Sequence, residues 1–112
     1  MTSVFHVPAA GEPLRTGADA LGVIYAEAAA GAEWIAVPAA RLDPAFFDLR
    51  TGVAGEIVQK FVNYQARLAV VGDISGRVAA SDALRDFVRE SNRGRHVWFV
   101  ADAEELAARL AG

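Results

Sequence analysis

Residues 46–64 read FFDLRTGVAGEIVQKFVNY. Ala54, Ile57, Val58, Phe61 and Val62 recur at helical spacing, while Glu56, Gln59, Lys60 and Asn63 fall on the opposite side. The pattern predicts an amphipathic helix from Thr51 or Gly52 to about Gln65, with Glu56 and Lys60 at the favourable i,i+4 spacing. Upstream, Asp43-Pro44 has the form of an N-cap followed by proline at the first helical position, so a short extra turn is expected through Phe46 and Phe47. Downstream, Leu68-Ala69-Val70-Val71 is a continuous apolar run, as suits a strand buried on both faces.

Working outward, two further runs match it, Trp34-Ile35-Ala36-Val37 and Val97-Trp98-Phe99-Val100. Val4-Phe5-His6-Val7 stops at Pro8 and reads as an edge strand. A helix is expected from Ala18 to Ala30, with Leu21, Ile24, Tyr25 and Ala28 on one face. Thr16 and Asp19 would cap its start and Gly31 would end it. Another opens at Ser81-Asp82, buries Leu84, Phe87 and Val88, and ends at Asn92 and Gly94. The last opens at Asp102, with Glu105 at capping-box spacing, and buries Leu106 and Leu110. Strands separated by helices in the order β-α-β-α-β-α-β-α imply an α/β class: one domain over residues 1–112, with about four mainly parallel strands and right-handed crossovers.

The 112 residues suffice for one core. An apolar content of 54% and a charged content of 22% exclude a disordered chain. A net charge of −3 argues against a nucleic-acid partner. No stretch approaches the roughly 18 consecutive apolar residues of a membrane span, and the N-terminus lacks the basic start of a signal peptide. The chain has no cysteine, which removes disulfides and thiol chemistry. These features point to a soluble, cytoplasmic protein.

No catalytic set emerges. Gly72-Asp73-Ile74-Ser75-Gly76 follows a strand where open α/β sheets place ligands. It matches neither phosphate-binding glycine pattern and reads as a polar exit loop, the next helix starting only near Ser81. Asp48, Glu56 and Asp73 are carboxylates without converging partners. His6 and His96 pair with none of them, so neither a metal nor a cofactor is expected. Arg85, Arg89 and Arg93 form a stripe neutralised by Asp82, Asp86 and Glu90. Phe46, Phe47, Trp34, Tyr64 and Trp98 stand at element ends, mostly to seal the core.

Thr51 stands out. Its plain role is to cap the helix that follows, and its functional role would be as a phosphoacceptor at a helix N-terminus beside Arg50. Gly52 and Gly55 weaken that helix. Gly55, one turn in, calls for close packing against the Phe46-Phe47 turn or a second molecule.

Through FFDLRTGVAGEIVQKFVNY, LAVVGD and DFVRESNRG, the sequence resembles a bacterial family known as domain of unknown function 4180, over about Val4 to Leu110. It is more distantly similar to the STAS-like fold of anti-sigma factor antagonists. There, a strand leads through a polar turn with an acceptor serine beside a glycine into a helix. That resemblance sets Thr51-Gly52 in the acceptor position, although Asp48-Leu49-Arg50-Thr51-Gly52 replaces the usual turn.

The expected function is a non-enzymatic regulatory or protein-interaction domain, STAS-like, switched at Thr51. Asp48, Arg50, Thr51, Gly52, Gly55, Glu56 and Asp73 are its candidate binding or switch residues. The alternative is a nucleotide- or metabolite-binding domain, or a minor enzyme, with its pocket at the strand carboxyl ends near Asp73, Ser75 and Asp102. A homodimer would follow from exposed aromatics.

Overall fold

The apolar runs lie side by side. In a computed structural model, which describes residues 2–112 apart from the side chains of 27–30, they form β2 (Trp34–Pro38), β3 (Arg67–Val71) and β4 (Val97–Val100). With β1 (Val4–His6) at one edge, the four strands make a fully parallel sheet in the order β1-β2-β3-β4. Five α-helices accompany them among the described residues: α1 (Gly17–Ala30), α2 (Val53–Asn63), α3 (Ser75–Ala80), α4 (Asp82–Arg93) and α5 (Ala103–Ala111). No helix among the described residues is long and apolar enough to cross a membrane.

Since each strand pairs with its predecessor, same-handed crossovers place every connecting helix on one face. Ala20 and Ile24 of α1, Ala54, Ile57 and Phe61 of α2 and Leu84 of α4 pack there on Ile35, Val37, Leu68, Val70, Val97 and Phe99. Among the described residues only α5 covers the other face, through Leu106 and Leu110. Ala36 and Ala69, register partners at the sheet centre, leave space on that face. Trp34 and Trp98 fill it, stacked 4.1 Å apart at 29°. The Arg109 guanidinium lies 3.9 Å from the Trp98 ring centre, a cation–π contact. Trp34 Nε1 is buried without a hydrogen-bond partner, so stacking holds that ring.

The helix starts behave as their sequences require. Thr16 Oγ1 accepts from the Asp19 N–H at 3.2 Å, and the Asp19 carboxylate accepts from the Arg15 and Thr16 N–H groups. Ser81 caps Leu84, and Asp102 caps Glu105 while Glu105 accepts from Ala101. The arginine stripe of α4 is laced to Asp82, Asp86 and Glu90.

Several expectations fail. Residues 75–80 form a helix, not an exit loop, because the Asp73 carboxylate accepts from the Ser75 N–H and turns the chain at once. Tyr25 and Val62, expected on buried stripes, are 60% and 41% exposed. Tyr25 sits about 100° around the helix from Ile24 and meets Tyr64 edge-on at 6.0 Å. Ala28 lies outside the described side chains. The α2 helix ends with Gln65 at φ +56°, a position that normally favours glycine.

Asn92, expected only as a helix terminator, closes the outer edge of β4. Its Oδ1 accepts from the Phe99 N–H at 2.8 Å and its Nδ2 donates to the Phe99 carbonyl at 3.3 Å, as a neighbouring strand would. Arg109 bonds the Asn92 side chain and its carbonyl in turn. Asn92→Ala strands both backbone groups of a residue that is 6% exposed. It is expected to cost about 2 kcal/mol in urea denaturation. A loss below about 0.5 kcal/mol would show that water replaces the amide.

Candidate functional site

Between β2 and α2 the chain makes consecutive 3₁₀ turns, among them Pro44–Phe47 and Leu49–Thr51. Asp43 caps the first, accepting from the Ala45 N–H at 2.9 Å and pairing with Arg15 at 2.9 Å. Phe46 and Phe47 are buried beneath it, edge-to-face at 5.2 Å. Asp48 caps the second and binds Arg50, whose side chain is 91% exposed.

Thr51 is not the N-cap of α2. That position belongs to Gly52, whose φ of +80° is the left-handed conformation glycine tolerates. The Thr51 hydroxyl lies within 2.7 Å of the Ala45 carbonyl and 2.8 Å of the Asp48 carbonyl, and accepts from the Val53 N–H at 3.2 Å. One side chain thus fastens both turns to the start of the helix.

Glu56 is not paired with Lys60; no such ion pair lies within 4.0 Å among the described residues. Its Oε2 instead accepts from the Gly17 N–H at 2.6 Å, at the positive end of α1. A Cβ at Gly17 would come within 2.8 Å of Lys60 Cε, so the Lys60 side chain would have to move aside.

Gly55 has no packing partner either: an added Cβ meets nothing within 4 Å, which overturns the close contact expected with the Phe46-Phe47 turn. Gly55→Ala is therefore expected to stabilise the protein by up to about 1 kcal/mol, the propensity gain of an exposed helix site. Chemical denaturation with a sizing run at matched concentrations checks this. A loss of stability coupled to weakened association would restore a role for Gly55 at an interface.

The structure brings Asp48 and Arg50 together at a cleft of about 440 Å³, with Phe47 and Arg77 also in its wall. The Arg77 guanidinium rests 4.6 Å from the Phe47 ring centre. No sequence signal marks Arg77, because the six-residue helix α3 that carries it is too short to show a period. Asp73 is elsewhere, in a cleft of about 210 Å³ with Gly72, Ser75 and Glu105.

Four carboxyls are held below the ordinary aspartate value by hydrogen bonds to their charged form. Asp43 receives the Ala45 N–H and then Arg15, and Asp48 the Arg50 side chain. Asp73 receives the Ser75 hydroxyl and N–H, and Asp19 chiefly the Arg15 N–H. A lowered folded-state pKa contributes stability above the unfolded value, about 3.9, which is lost as pH falls through the folded value. The melting temperature is thus expected to fall steadily from about pH 4 downward, and Asp43→Asn to flatten part of that slope. An unchanged slope in that variant would remove Asp43 from the acid response.

Strand, polar turn and helix in an all-parallel sheet define a single-domain α/β protein whose most elaborate surface is the turn at 43–52. A family model described as "Domain of unknown function (DUF4180)" matches residues 1–110, and the chain belongs to that family. No curated protein and no solved structure matches it.

Proposed function

We propose that the chain is a regulatory or protein-interaction module whose partner surface is the turn at 43–52 with the start of α2, switched at Thr51. The three contacts of the Thr51 hydroxyl carry this reading. A phosphate there would remove the donor that serves the Ala45 and Asp48 carbonyls and set close to two negative charges beside them and the Asp48 carboxylate. Repulsion would free the turn from α2, while exposed Arg50 offers the phosphate a new partner. The succession of β2, polar turn, α2 and β3 supports the STAS-like comparison.

The metabolite-binding alternative draws less support. The cleft near Asp73 holds about 210 Å³, below the roughly 300 Å³ at which ligand pockets begin. The Asp73 and Asp102 carboxylates already serve the Ser75 and Glu105 N–H groups.

The test compares wild type, Thr51→Ser and Thr51→Glu by amide spectra and by quantitative capture from native lysate. Thr51→Ser should behave as wild type. Thr51→Glu should perturb amides within 43–54 and change the yield of at least one partner about tenfold. If no partner distinguishes the variants, the switch is wrong.

A further inference from the structure

Glu33, Arg67 and His96 each stand immediately before one of the three apolar runs. Because those strands are parallel neighbours, all three residues converge on the amino edge of the sheet, where they line a cleft of about 540 Å³. Ile24, Val62 and Tyr64 supply its apolar wall. The three large hydrophobic side chains exposed among the described residues, Tyr25, Val62 and Tyr64, gather at this place.

Arg67 has a singular status. Every other arginine among the described residues has an acid, a carbonyl or an aromatic ring as partner. Arg67, half-buried, has none among the described residues. Glu33 likewise lacks an ion-pair partner among the described residues. An acid and a guanidinium with no ion-pair partner among the described residues thus share one cleft with an apolar wall, in the size range of small-molecule sites.

We propose that this cleft binds a zwitterionic α-amino acid with a large apolar side chain. Arg67 takes the carboxylate in its planar fork, with His96 beside it. Glu33 takes the ammonium group, and the negative end of α2 favours the same charge. The side chain lies against Ile24, Val62 and Tyr64. This assignment is independent of the Thr51 switch, which occupies the opposite end of α2.

Titration of ¹⁵N-labelled protein with L-phenylalanine, 3-phenylpropionate and phenethylamine tests it. L-phenylalanine should give saturable shifts at the amides of Val62, Gln65, Arg67 and His96, with each single-charge analogue at least about tenfold weaker. Arg67→Gln should weaken phenylalanine and phenylpropionate about tenfold and leave phenethylamine unchanged, and Glu33→Gln should do the converse. Tyr64→Ala, at an exposed rim position, should weaken all three and serves if Arg67→Gln misfolds. The assignment is overturned if no saturable shift occurs up to about 10 mM, if the three compounds bind equally, or if the Arg67→Gln protein keeps full affinity for phenylalanine.

Discussion

Val70→Asp should yield no soluble folded protein. Val70 is 1% exposed in β3, between Val37 of β2 and Phe99 of β4. Its side chain joins the helix-covered core, where Ile57, Phe61 and Leu84 are fully buried. A carboxylate at this site meets no cation and no spare donor, and the desolvation of an isolated charge exceeds the whole stability of a small domain, about 5–15 kcal/mol. Protonation relieves the charge but leaves a polar group without partners. Expression yield and far-UV circular dichroism are the readouts. Normal expression with an unaltered melting temperature would remove β3 from the sheet centre.

Phe61→Ala comes second, with an expected loss of about 3–5 kcal/mol in denaturant unfolding. Phe61 has no exposed surface, and its carbonyl accepts from the Ala66 N–H at 2.8 Å where α2 turns toward β3. Truncation leaves a cavity that the sheet on one side and α1 on the other prevent from closing. A loss below about 1 kcal/mol would mean that α2 presents a different face to the sheet.

The architecture was legible because its signals were local. Continuous apolar runs mark strands buried on both faces, and Thr16, Ser81, Asp102 and the Asp43-Pro44 pair act on residues within a few positions. What escaped was set by contacts distant in sequence or by geometry without a period. Helix α3 has six residues, too few for periodicity, and contains Gly76. Glu56 stands at the usual i,i+4 spacing from Lys60 in sequence, yet a backbone N–H 39 positions away holds it. Gly55 signalled a missing contact that the fold does not contain. Of the candidate site, Asp48, Arg50, Thr51 and Gly52 do form one turn, but Asp73 faces another cleft. The N-cap position expected of Thr51 falls to Gly52, the one of the two neighbours that tolerates a left-handed backbone, while the Thr51 hydroxyl still accepts from the Val53 N–H as a cap would.

The strand order β1-β2-β3-β4 also bears on how the chain is made. Each strand pairs only with the one already synthesised, so every emerging strand–helix unit meets a finished edge and waits for nothing downstream. Apart from the three-residue β1, whose outer side stays at the sheet rim, only the newest strand has an open edge, the condition under which nascent chains stick to one another. For β4 even that interval is short. Asn92 leaves the ribosome seven residues ahead of Phe99, so the side chain that closes the final edge is already synthesised when that edge emerges.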